Sequence, residues 1–212
     1  MINDTDEIWA ACDWPTNGHM IADVAKLGYI KSSDITLDTT YGRGVFWNQW
    51  KPDHLVAMGY NEDPQRATPS LTGDFTSLPF RPHSFDVVVF DAPYMPKGTT
   101  SEKLSSMDSH YGVGGKGRQF IENLLTNGFD ECLRVCKPGG TILTKAGRGV
   151  DSNKLFRGDD ILVDHGEQAE CEVITQFLFL SRPRTQKHRG PQKSPRSNFS
   201  TLTIWRTPKA VL

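Results

Sequence analysis

The stretch FDVVVFDAPY, residues 85–94, decides how this chain folds. Phe85 and the run Val87-Val88-Val89-Phe90 are apolar at successive positions, so a strand there needs cover on both faces. That pattern belongs to a central strand of a parallel sheet, because a half-solvated hairpin strand alternates apolar with polar. The run stops at a carboxylate, Asp91, and Ala92-Pro93-Tyr94 then turns the chain outward. An acid, a proline and an aromatic ring at the mouth of a parallel strand stand where open α/β sheets bind their ligands.

Working outward, the same rhythm repeats. Residues 35–38 read as a short strand ending in Asp38, followed by the glycine-rich turn Thr39-Thr40-Tyr41-Gly42-Arg43-Gly44 and a short helix over 45–50. Residues 55–60 form a second apolar strand that delivers Asn61, Glu62 and Asp63 before Pro64 stops it, and Thr72-Gly73-Asp74-Phe75 marks a third strand end. Apolar residues Phe120, Ile121, Leu124, Leu125, Phe129 and Leu133 give residues 119–135 a helical period that breaks at Lys137-Pro138-Gly139-Gly140. A fifth strand is predicted over 141–145, a helix near 159–168, a sixth strand over 171–180 and a last one over 199–205. Strands alternating with helices predict an α/β fold with a doubly wound, mostly parallel, seven-stranded sheet and helices on both faces. Asp38, Asn61, Asp74 and Asp91 then share its carboxyl edge, in reach of one crevice.

A chain of 212 residues suits a single domain, 1–212, with a polar loop over about 96–117 and a basic loop over about 181–198. No stretch approaches the roughly 18 apolar residues of a membrane span. The first seven residues are acidic where an export signal is basic and then apolar, so a cytoplasmic protein is expected. Cys12, Cys132, Cys136 and Cys171 form no CxxC pair, and no histidine stands at zinc-finger spacing. They read as reduced core thiols, with Cys132 and Cys136 on one helix face, and neither a disulfide nor a metal site is expected.

The net charge of −1 conceals an asymmetry. No acid follows Glu172, whereas eight basic residues do, so the total splits into +8 after that point and −9 before it. A basic segment on an acidic body points to an anionic partner, nucleic acid foremost. Arg182, Arg184, Lys187, Arg189, Lys193 and Arg196, with Lys97 from the earlier loop, are the candidate phosphate contacts.

The turn after Asp38 contains GxG but not GxGxxG, because Trp47 stands where a dinucleotide fold needs a small residue. With its flanking strand, Leu37-Asp38-Thr39-Thr40-Tyr41-Gly42-Arg43-Gly44 resembles the first motif of class I S-adenosylmethionine-dependent methyltransferases. The likeness continues through Gly73-Asp74-Phe75-Thr76-Ser77-Leu78-Pro79-Phe80, Ser84 to Val89, and Arg134-Val135-Cys136-Lys137-Pro138-Gly139-Gly140, and covers roughly residues 35–206. It implies a Rossmann-like fold and S-adenosylmethionine as methyl donor. Gly42 and Gly44 would lie against the donor's methionine part, with Thr40 and Tyr41 in the same turn and Asp38 near its amino group. Asn61 falls where the family carries an acid for the ribose hydroxyls, a departure for which Glu62 is the substitute. Asp74 would receive the adenine amino group, with Phe75 offering its backbone or its ring.

Asp91-Ala92-Pro93-Tyr94 resembles the fourth motif of methyltransferases that act on exocyclic amines of nucleic-acid bases, usually (Asp/Asn/Ser)-Pro-Pro-(Tyr/Phe/Trp). Such an amine is a poor nucleophile, since its lone pair is delocalised into the ring. Acceptors at the Asp91 carboxylate and the Ala92 carbonyl would favour a pyramidal nitrogen, Pro93 would stiffen the turn, and Tyr94 would stack on a base taken out of its helix. The resemblance thus implies a DNA amino-methyltransferase, with an acid at the first position leaning toward adenine N6 over cytosine N4. RNA as the substrate, or a donor-fold protein that binds nucleic acid without turnover, are the alternatives. No segment is long enough for a separate target-recognition domain, so recognition falls to the two loops, a homodimer or a partner subunit.

Overall fold

The computed structural model describes residues 13–59, 70–91, 117–151, 154–180 and 199–209. Helix α1 (Asn17–Lys26) leads into β1 (Ile35–Asp38), a 3-10 turn at Val45–Trp47, β2 (His54–Gly59), β3 (Leu71–Thr72) and β4 (Phe85–Phe90). Then follow α2 (Arg118–Val135), β5 (Cys136–Asp151), β6 (Lys154–Arg157), α3 (Gly158–Gln168), β7 (Glu172–Leu180) and β8 (Phe199–Arg206).

One sheet runs in the order β3-β2-β1-β4-β5-β8-β7, with β6 pairing to β5 alone. Strands β1 to β5 are mutually parallel, whereas β8 runs antiparallel to both of its neighbours. The mostly parallel doubly wound sheet expected from the sequence is what forms, with β6 added to the seven strands on the main path.

Strand β4 shows why it sits at the centre. Val88 and Phe90 join the core under α2 and α3 with Leu125, Phe129, Ile142 and Trp205. Val87 and Val89 face the opposite core, with Met20 and Val24 of α1, Phe46, Trp47 and Leu143. Each of these buried side chains contributes about 1.5–3 kcal/mol of transfer free energy, so a polar residue on either face would be costly.

Several expectations are corrected. The helix predicted over 45–50 is only the Val45–Trp47 turn, because Gly44 enters it with left-handed backbone (φ 66°) and Trp47 is anchored back to Asp38. The fifth strand is far longer than 141–145. Its pairing with β4 jumps from Phe85↔Cys136 to Val87↔Thr141, and that irregularity absorbs Lys137-Pro138-Gly139-Gly140 without ending the strand. Cys136 accordingly opens β5 instead of sharing a helix face with Cys132, although both thiols are buried. Helix α1 and strand β6 carry no counterpart in the sequence reading. No helix among the described residues is long and apolar enough to cross a membrane.

Candidate functional site

The order of the strands reverses beside β1: the chain moves away through β2 and β3, then returns to β4 on the other side of β1. Crevices open at such switch points, outside the carboxyl ends of the strands. Asp38 ends β1 and Asp91 follows β4 directly, so both stand at this one.

The two strand ends are tied together past the regular ladder. Thr39 donates both its backbone N–H and its hydroxyl to the Val89 carbonyl, at 3.0 and 2.9 Å. The backbone N–H of Asp91 in turn donates to Thr40 Oγ1 at 2.8 Å. The glycine-rich turn and the first residue of Asp-Ala-Pro-Tyr are therefore direct neighbours. On the other side Tyr41 N–H donates to the Met58 carbonyl at 2.9 Å, which fastens the turn to the end of β2.

Asp38 is the brace beneath the turn. It is 3% exposed, and its two oxygens accept from Thr40 N–H at 2.9 Å and from the Trp47 indole N–H at 2.7 Å. Trp47 is thus an intended partner of Asp38, which explains a bulky residue where a dinucleotide fold wants a small one. Burial pushes the Asp38 carboxyl up to about 7 against the pull of those two donors, and the neighbouring Asp91 charge adds to the rise.

Gly44 has backbone that side-chain-bearing residues rarely adopt, and a Cβ there would stand 2.7 Å from the Tyr41 hydroxyl. The phenol lies over this glycine and fills the space beside it. Asp74 is exposed, and one of its oxygens caps its own turn by accepting from Thr76 N–H and Thr76 Oγ1–H, each at 2.8 Å. The Phe75 ring is not available as a ligand surface. It is buried in the core, 5.3 Å from the Phe90 ring, so only its backbone could serve.

Sequence reasoning missed Lys145. Its ammonium approaches both Asp91 oxygens, at 3.3 and 3.4 Å, and lies 5.8 Å from the centre of the Phe46 ring. Its side chain is 7% exposed, against 28% for that of Asp91. The signal was a lysine directly after Thr141-Ile142-Leu143-Thr144, at the carboxyl end of a predicted strand. Farther along, a cleft of about 520 Å³ opens beside Arg148, Arg157, Asp159, Gln176 and Phe199. Arg148 is held there by Asp159 and Asp160, and Arg157 by Asp160, so that cleft has no surplus positive charge for an anion.

Ala92, Pro93, Tyr94, Asn61, Glu62, Lys97 and the six basic residues Arg182, Arg184, Lys187, Arg189, Lys193 and Arg196 lie outside the described residues. Among the described residues no group of histidine, cysteine, aspartate or glutamate could hold a metal ion.

The fold is that of class I S-adenosylmethionine-dependent methyltransferases. The N-methyltransferase NodS from Bradyrhizobium japonicum superposes with a TM-score of 0.56 at 12% identity, over 93% of this chain and 99% of that one. PH0226 protein from Pyrococcus horikoshii gives 0.52 at 15% identity, covering 92% and 93%. A S-adenosylmethionine-dependent methyltransferase from Methanosarcina mazei gives 0.51 at 13%, covering 86% and 96%. No protein-family model matches the chain, and no curated protein matches it.

Proposed function

We propose that this protein transfers the methyl group of S-adenosylmethionine to the exocyclic amine of a nucleic-acid base, adenine N6 in DNA foremost. The observation that carries this reading is the 2.8 Å hydrogen bond from Asp91 N–H to Thr40 Oγ1. It joins the acid of an Asp-Ala-Pro-Tyr sequence to a glycine-rich turn at the switch point of a methyltransferase fold. S-adenosylmethionine as the donor is also supported by a fold neighbour, NodS, solved in complex with S-adenosylhomocysteine, with a TM-score of 0.56.

The residues fit such a donor. Gly42 and Gly44, both with left-handed backbone, would let the turn approach it closely, and the exposed Asp74 would serve an amino group as acceptor. Asp38, with both oxygens engaged, shapes the turn from below. The bound donor supplies an electrophilic methyl carbon on a sulfonium sulfur. Asp91 accepts one N–H of the base amine and directs the nitrogen lone pair at that carbon. Transfer would exchange the C–S bond for an N–C bond, with the electron pair kept by sulfur and the surplus proton on nitrogen passed to water.

Radiolabelled donor, incubated with separate DNA and RNA pools and followed by digestion to nucleosides, tests this. Label in N6-methyldeoxyadenosine is expected. Label only in RNA moves the substrate to RNA, and donor binding without label in either pool makes the chain a non-catalytic nucleic-acid binder. Asp91→Ala should lower transfer at least roughly 100-fold while donor affinity stays within a few-fold. Transfer undiminished in that variant removes Asp91 from the mechanism.

A further inference from the structure

Lys145 buries a charged side chain against Asp91. A buried ammonium is costly to desolvate, and this one, 7% exposed, lies 5.8 Å from the centre of the Phe46 ring with Asp91 within reach. A buried ammonium that reaches both oxygens of the acid of a candidate site is a candidate for a functional role.

Its geometry indicates which one. The two contacts, at 3.3 and 3.4 Å, are nearly equal and both longer than a tight ammonium–carboxylate hydrogen bond of about 2.8 Å. The ammonium therefore straddles the carboxylate and does not saturate either oxygen. Asp91 is held at three points: through its backbone N–H by Thr40 Oγ1, and through each oxygen by Lys145. The Lys145 charge also offsets the repulsion between Asp91 and Asp38, whose carboxyls are near enough to influence each other. The Asp91 side chain is 28% exposed, four times the exposure of the Lys145 side chain.

We propose that Lys145 is a positioning residue for methyl transfer. It fixes the Asp91 carboxylate in one orientation, so that its outward lone pairs meet the amine of the base. This rests on the function proposed above, because the orientation of Asp91 matters only if Asp91 receives a substrate. The lysine acts through Asp91 and touches neither the base nor the methyl group.

The test uses Lys145→Met and Lys145→Arg in the full chain. Lys145→Met should lower kcat on DNA roughly 10- to 100-fold, the scale of a small misplacement at a reacting centre, with KM for DNA and the affinity for S-adenosylhomocysteine within about three-fold. Lys145→Arg, which restores the charge, should recover most of the lost rate. Wild-type kcat in Lys145→Met, donor affinity falling in step with kcat, or an arginine variant no better than the methionine one overturns the proposal. The pair is also read without turnover, by thermal unfolding of Asp91→Ala and of Asp91→Ala/Lys145→Met. The single variant takes the Asp91 carboxylate away from a buried ammonium and should melt below the double variant. A double variant no more stable than the single one rejects the pair. If the wild type labels neither DNA nor RNA, the function fails first, and the melting comparison alone then decides whether Lys145 holds Asp91.

Discussion

At the scale of the residue, Asp38 makes the sharpest thermodynamic claim. Its carboxyl sits at about 7 in the fold, while an exposed aspartate titrates near 3.8. Between those values the folded chain binds more protons than the unfolded one, so stability falls as pH rises through this window and levels off above it. The contribution is fully present below pH 4 and lost above pH 7. Asp86, lowered by Lys137 and the Ile35 N–H against its own desolvation, and Glu131, lowered chiefly by Arg134, act with opposite sign at acid pH. Asp38→Asn isolates the first effect. Asparagine keeps one acceptor for Thr40 or Trp47 and loses the other, so the variant should be less stable than wild type at pH 5. The gap should close by on the order of 1–3 kcal/mol at pH 8, because only the wild type loses stability across that range. Urea unfolding at both pH values measures this, and a gap that stays constant removes the titration from Asp38. The sequence displayed Asp38 as a strand-ending acid but did not reveal its partner. Trp47 was legible only as an obstacle to a dinucleotide, since a hydrogen bond nine residues along the chain depends on the closure of the turn.

Among the elements, the packing of α2 on β4 sets where Asp91 stands. Gly128 lies in the middle of α2, where alanine would ordinarily stabilise a helix by about 1 kcal/mol. Here a Cβ would stand 2.4 Å from Phe90 Cζ and 3.1 Å from the Phe75 ring. Phe90 is fully buried and immediately precedes Asp91, so it cannot give way without moving the strand end. Gly128→Ala should therefore destabilise by about 1–3 kcal/mol, the usual effect of overpacking, and should lower methyl transfer more than donor binding. Denaturant unfolding and the transfer assay together check both parts, and a stabilised variant would mean that the helix rides farther from β4. The strands with continuous apolar runs were legible because burial on both faces leaves one composition available, as in Val87 to Phe90. The start of β5 was not, because Pro138-Gly139-Gly140 carries the local signals of a stop. Pairing to β4 at Cys136 and again from Thr141 carries the chain past that segment, where Gly139 takes left-handed backbone (φ 69°) and donates its N–H to the Pro208 carbonyl while the Gly140 carbonyl accepts from Thr207 N–H. Helix α1 has Met20, Ile21 and Val24 buried at helical spacing, a short pattern that the glycine at its start obscures.

For the whole molecule, the separation of charge along the chain acquires a direction. Leu180 and Phe199, which flank residues 181–198, are paired with each other, and Ser200 pairs with Gly147 of β5, two residues past Lys145. The basic segment thus leaves and re-enters the sheet at the edge that carries Asp91 and Lys145. Lys31 and Arg81 are exposed at the opposite edge, ahead of β1 and β4. If the substrate is DNA, the two groups should differ in their effect on binding. Each phosphate that a protein ceases to neutralise reduces the slope of log affinity against log salt by about 0.9, while removing cations that touch no phosphate leaves it unchanged. Replacing Arg182, Arg184, Lys187 and Arg189 by glutamine should lower the slope by about 2–4 and weaken binding most at low salt, with donor affinity unaffected. Replacing Lys31 and Arg81 should leave the slope as it was. Fluorescence anisotropy with a labelled duplex, from roughly 50 to 200 mM salt, measures both. Equal slopes in the two variants would mean that nucleic acid is held by overall charge alone, and the carboxyl edge of the sheet would lose its standing as the docking side.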